Sequence, residues 1–217
     1  MSLIIETQKL IQLYKKGFFP MAKSRESEEI NFYKPIKRFI IPIYQFHIPK
    51  NLFNDYKKQK YQFFINKNFK EIIINCSLKR KKDNQTWINK TIVNTYCKLH
   101  IEKYAHSIEC FDGPVLVGGL YGVHIGSCFF GESMFSLKKN TSKFCLLYLI
   151  SILVHNKFKL LDSQFYNKHL LQFGAYELDH NKYEILLDKY IKRKSLFKNN
   201  FDYSQSISIL QSLTQTS

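Results

Sequence analysis

The sequence predicts an α+β fold in two parts, and three observations carry that expectation. From about residue 86 onward the hydrophobic pattern runs helix, three consecutive strands, buried helix, strand, helix, which is the order of an α+β domain. The strands 106–111, 115–124 and 128–135 follow one another closely, the first turn being Asp112-Gly113. Residues 1–80 instead show short strands punctuated by proline and short amphipathic helices, a small mixed α/β N-terminal domain. The expected division is therefore 1–80, 81–194, and a Ser/Gln-rich tail at 195–217 whose weak periodicity suggests mobility.

Each element has a local reason. Leu10, Leu13 and Tyr14 make one apolar face of a helix over 7–16, and Gly17 is suited to end it. Pro20 then forbids its resumption, and 22–29 reads as a polar loop. Strands at 30–33 and 38–43 carry Pro35 and Pro42 near their ends. A helix over 49–58, a strand over 61–65 and the helical face Phe69, Ile72, Ile73, Cys76 complete the N-terminal part. Ile88, Ile92, Tyr96 and Leu99 mark a helix reaching about Tyr104. The segment 141–155 is apolar nearly all round and so is expected to be buried. A strand over 158–164, a short helix over 167–173 stopped by Gly174, and a last helix opened by Asp179 follow.

The chain of 217 residues carries a formal charge of +16. A polyanionic partner would account for that excess. So would a genome biased toward AT-rich codons, because Arg occurs at 25, 38, 80 and 193 alone and Lys supplies the rest. The densest basic run is Lys79-Arg80-Lys81-Lys82, a phosphate grip or a solvated loop. Five cysteines without metal spacing indicate reduced thiols in a cytosolic protein. The longest apolar run, 144–154, is too short to span a bilayer, and no secretory leader is evident.

For chemistry, small residues, aromatics and carboxylates converge on three strands. In Leu160-Leu161-Asp162-Ser163-Gln164, residues two apart share a face, so Asp162 and Gln164 point together, as do Glu132 and Met134. Gly118, Gly119 and Gly122 weaken a strand unless something must approach the backbone closely. Ser133 lacks the final glycine of a nucleophile elbow, and His106 and His124 fit a core or surface role better than a ligand role.

The motifs Gly17-Phe18-Phe19-Pro20-Met21, Thr86-Trp87-Ile88, His106-Ser107-Ile108-Glu109, Val117-Gly118-Gly119-Leu120-Tyr121-Gly122, Gly131-Glu132-Ser133-Met134-Phe135-Ser136, Ser142-Lys143, Leu161-Asp162-Ser163-Gln164 and Phe173-Gly174-Ala175 occur in this order. Together, over about residues 10–192, they closely resemble bacterial leucyl/phenylalanyl-tRNA–protein transferases. The resemblance implies a C-terminal domain of the GNAT (acetyltransferase-related) type. It also implies transfer of Leu or Phe, or Met, from aminoacyl-tRNA to the α-amino group of proteins beginning with Arg or Lys. No metal, ATP or coenzyme A is implied, because the aminoacyl ester is already activated. A bacterial cytoplasmic monomer without membrane attachment is expected.

By the same resemblance Gln164, hydrogen-bonded to Asp162, handles the amine, and Glu132 with Asp162 makes the site acidic. Leu120, Phe129 and Met134 are the aminoacyl-pocket candidates. Trp87, Met21, Phe32 and Tyr33 are those for the 3′ adenosine, Phe32 and Tyr33 standing near a position where many members carry Trp. Lys79, Arg80, Lys81 and Lys82, with Lys57 and Lys58, are candidates for the tRNA backbone. Two alternatives stay open: a tRNA-binding module without catalysis, and an acyl-CoA N-acetyltransferase, against which the missing pyrophosphate loop speaks.

Overall fold

The computed structural model describes residues 4–78, 86–198 and 200–215, so the run Lys79–Lys82 lies outside the described residues. A seven-stranded mixed sheet organises the chain. Its strands are β3 (Lys37–Ile41), β4 (Gln62–Ile65), β5 (Ala105–Asp112), β6 (Val115–Ile125), β7 (Cys128–Ser136), β8 (Leu160–Gln164) and β9 (Tyr176–Asp179), in the spatial order β4-β5-β6-β7-β8-β3-β9. Neighbours are antiparallel except β7 and β8, which are parallel. Strands from both sides of residue 80 thus share one sheet, with β4 against β5 and β3 between β8 and β9. A separate hairpin pairs β1 (Phe19–Ala22) with β2 (Ile30–Tyr33).

Two apolar layers cover the sheet. One contains α5 (Thr141–His155) with α2 (Lys50–Lys57) and α7 (Tyr203–Gln215). The other contains α1 (Thr7–Lys15), α3 (Phe69–Cys76), α4 (Lys90–Ile101) and α6 (His180–Ile191). Because α5 lies between the sheet and α7, its all-round apolar sequence is buried on nearly every side. No described helix is long and apolar enough to cross a membrane.

The expected elements recur with small shifts at their ends, and three more appear. Strand β1 contains Pro20, which is tolerated because β1 belongs to a two-stranded hairpin rather than to a sheet interior. The short β9 extends the main sheet. The tail expected to be mobile forms α7, whose buried residues Ser206, Leu210 and Leu213 stand at helical spacing. Ser206 conceals that stripe from a hydrophobicity reading, yet its hydroxyl bonds Tyr56 Oη and Ser151 Oγ at 2.8 Å each. Asp179 precedes α6 but makes no capping hydrogen bond from its side chain.

Gly122 answers the question of close approach. A Cβ there would lie 2.3 Å from the Phe130 carbonyl oxygen and 2.4 Å from the Phe129 ring, closer than any real contact. Gly122→Ala is therefore expected to destabilise the fold by about 1–3 kcal/mol, through overpacking, in urea unfolding. An unchanged midpoint would show that β6 and β7 can separate at no cost.

Candidate active site

The site lies where β7 and β8 part. Their parallel pairing covers Cys128–Leu160, Phe129–Leu161 and Phe130–Asp162 and ends there. Just past that point each strand carries an extra residue. Tyr121 pairs with Ser133 and Gly122 with Gly131, which leaves Glu132 in a bulge of β7. Phe39 pairs with Gln164 and Ile40 with Asp162, which leaves Ser163 in a bulge of β8. Bulges bend a strand and re-aim side chains, so the two strands diverge and turn polar groups toward each other. A cleft of about 410 Å³ occupies the opening, lined on its polar side by Trp87, Tyr121, Glu132 and Asp162. On its apolar side Leu120, Met134, Leu146 and Leu161 line it.

The bulge corrects one expectation. Glu132 does not share a face with Met134: it reaches tyrosines of the α1/α4 layer, while Met134 packs on the α5 layer. Tyr14 Oη donates to Glu132 Oε1 at 2.6 Å, and Tyr96 Oη donates to Oε2 at 3.1 Å. The two hydroxyls also touch each other, closing a ring of three groups. Gln164 Nε2 donates to Glu132 Oε1 at 2.9 Å, so the amide spans the gap between the strands. Burial pushes the Glu132 carboxyl up to about 7, against three donated hydrogen bonds that pull it down.

Asp162 has a different setting. Arg38 Nε lies 2.9 Å from both of its oxygens, and Nη2 lies 2.7 Å from Oδ2, an ion-pair contact poorly aligned for a hydrogen bond. Tyr183 Oη donates to Oδ2 at 2.6 Å. Arg38 is 1% exposed and Asp162 is fully buried, and Arg38 Nη1 also donates to the Gly17 carbonyl at 2.8 Å. The guanidinium packs between the Phe19 and Tyr183 rings, 4.8 and 4.7 Å from their centroids. Asp162 is therefore committed to Arg38 rather than free to face the cleft alone. Its link to Gln164 runs through the Gln164 backbone N–H, at 2.8 Å, and not through the amide side chain. That bond accompanies a left-handed backbone at Gln164, with φ of 68°, which a non-glycine residue adopts only when its surroundings compensate.

The family of leucyl/phenylalanyl-tRNA protein transferases matches residues 40–188. The leucyl/phenylalanyl-tRNA–protein transferase of Maricaulis maris is 40% identical over 210 residues, which is 97% of each chain. That of Phenylobacterium zucineum is 39% identical over 184 residues, 85% of this chain and 83% of its own. The chain belongs to this family. Among solved structures, FemX superposes with a TM-score of 0.56 at 11% identity, over 80% of this chain and 66% of FemX, a likeness of fold.

For a member of the leucyl/phenylalanyl-tRNA protein transferase family, the placement of the remaining candidates is uneven. Leu120, Met134 and Trp87 line the cleft. Phe129 does not; it is fully buried beneath Phe197, 5.6 Å between ring centroids. Met21 is half-buried on β1. Phe32 and Tyr33 are exposed on β2, and Tyr33 joins Phe19 and Phe165 in an aromatic group. Lys57 and Lys58 end α2, in the layer opposite to the one Trp87 packs against. His106, buried, and His124, partly buried, lie 3.0 Å apart and neither lines the cleft.

Arg38, Tyr14, Tyr96 and Tyr183 are site residues that the sequence reading did not single out. Arg38 had one signal, its rarity in a chain whose cations are mostly Lys. The tyrosines had none, since each sits on the apolar face of a helix.

Two outcomes follow from this geometry. Arg38→Met leaves a buried carboxylate unpaired and is expected to cost about 3–5 kcal/mol in urea unfolding, with Arg38→Lys recovering little. A carboxyl whose folded pKa lies above its ordinary 4.5 stabilises the fold fully below that value, and the benefit is lost as pH rises through about 7. Glu132→Gln should therefore gain stability relative to wild type between pH 5 and pH 8, on the order of 2–3 kcal/mol. A constant difference across that range would show that Glu132 ionises normally.

Proposed function

We propose that this chain transfers Leu or Phe from aminoacyl-tRNA to the α-amino group of proteins that begin with Arg or Lys, marking them for degradation. The observation that carries the reading is the amide–carboxyl bridge between Gln164 and Glu132 beside an apolar pocket, in the opening between two bulged strands. Family membership supplies the donor and the protein acceptor. A GNAT-type ancestry of the catalytic part accords with the FemX likeness.

The reaction joins the amine nitrogen to the ester carbonyl carbon and breaks the bond from that carbon to the ribose oxygen. One amine proton ends on that oxygen. The Gln164 amide, fixed by its Nε2 bond to Glu132, has its carbonyl oxygen left to accept from the amine. A buried carboxyl that titrates near neutral pH is suited to hold or release a proton as the amine attacks. Asp162 acts as a positioning residue: it accepts the Gln164 backbone N–H and is itself held by Arg38 and Tyr183. Leu120, Met134, Leu146 and Leu161 take the Leu or Phe side chain, separating neighbouring aliphatics by about 1–3 kcal/mol per methylene. Trp87 offers its ring to the 3′ adenosine, a stack worth about 1–3 kcal/mol. The ester supplies the driving force, so the reading calls for no metal or cofactor.

The test is transfer of labelled Leu from charged tRNA to peptides that begin with Arg, Lys or Ala. Transfer to the Arg and Lys peptides alone is expected, and Gln164→Ala should lower kcat by about 10²-fold or more while tRNA binding persists. Binding without transfer in the wild type would favour a tRNA-binding module instead.

A further inference from the structure

Two tyrosine hydroxyls hold Glu132, and a third tyrosine packs edge-on against one of them. Tyr14 and Tyr96 both donate to its carboxyl. The third, Tyr121 on β6, is fully buried, and its hydroxyl has no hydrogen-bond partner among the described residues. Its ring meets Tyr96 edge-on at 5.6 Å and Phe69 at 5.9 Å, and the residue lines the cleft. A buried hydroxyl without a partner costs stability that Phe would not cost, so folding alone does not account for it. Burial also raises its pKa well above the ordinary phenol value, with Tyr96 and Glu132 adding to the rise, so the group keeps its proton at neutral pH. It is a buried donor on a residue that lines the cleft, without an acceptor among the described residues.

The proposed reaction brings two kinds of polar group here. The attacking amine is a donor, and Glu132 and Gln164 already offer it oxygen atoms. The ester carbonyl, the bridging oxygen and the neighbouring ribose hydroxyl are acceptors. We propose that the Tyr121 hydroxyl binds the donor substrate, giving its hydrogen bond to an oxygen of the aminoacyl-ribose end. This inference rests on the transferase reading above.

Tyr121→Phe tests it, because removing an unpaired hydroxyl has opposite effects on folding and function. The expected result is a melting temperature equal to or above wild type, with kcat/KM for aminoacyl-tRNA lowered about tenfold or more. Binding of a non-reactive 3′-amide analogue of aminoacyl-adenosine should weaken in parallel. A donor ending in 2′-deoxyadenosine separates the possible acceptors. If Tyr121 bonds the 2′-hydroxyl, the deoxy donor and Tyr121→Phe cause the same loss and do not add. If it bonds an ester oxygen, the losses multiply. Unchanged kinetics with active wild type would overturn this inference alone. A lowered melting temperature with proportionate loss of activity would overturn it too, by giving the hydroxyl a structural role. No transfer by the wild type would remove the reading beneath it.

Discussion

The site depends on how briefly β7 and β8 are paired. Parallel strands that stayed in register would bury their backbone groups against each other and leave no space between them. Here pairing lasts for Cys128 to Phe130 on one strand and Leu160 to Asp162 on the other. The bulges at Glu132 and Ser163 then take the strands apart at the same level. Backbone polar groups freed in this way need other partners, and Ser163 Oγ supplies one by donating to the Phe39 carbonyl at 2.9 Å. The opening passes between two packed layers, so it combines an apolar side that includes Leu146 of α5 with a polar side at Tyr121, Glu132 and Asp162. A substrate with an apolar side chain and a polar reacting end fits such a passage in one orientation.

The two carboxyl groups of the site are treated in opposite ways. Asp162 is ion-paired with a guanidinium packed between aromatic rings, and the pair is withdrawn from water. Glu132 has hydroxyl and amide donors but no cation bonded to it among the described residues, and burial outweighs the three donated hydrogen bonds. Environment rather than residue type separates a group that holds geometry from one whose charge can change near neutral pH.

Much of this was legible in the sequence, for identifiable reasons. The strands β5 to β7 and the helix α5 follow from turn residues and from an uninterrupted apolar run, both local signals. Glu132, Asp162 and Gln164 were named because their family motifs are contiguous. Arg38 and Tyr14 escaped because each meets its partner across more than a hundred residues of chain, as Arg38 with Asp162 and Tyr14 with Glu132. The face on which Glu132 lies was misread because strict alternation fails at a bulge, and no sequence pattern announced one. Helix α7 was missed because a serine occupies a position on its buried stripe.

Arg38 also bears on how far this chain can drift in composition. Its cations are overwhelmingly lysine, in keeping with a mutational pressure toward adenine-rich codons, and Arg is confined to four positions. An ammonium is a single compact charge and cannot serve the Asp162 carboxylate and the Gly17 carbonyl while stacked between two rings. At this position the geometry of the fold opposes that nucleotide bias, and a lysine codon would loosen the strand that carries Gln164 and the end of the helix that carries Tyr14.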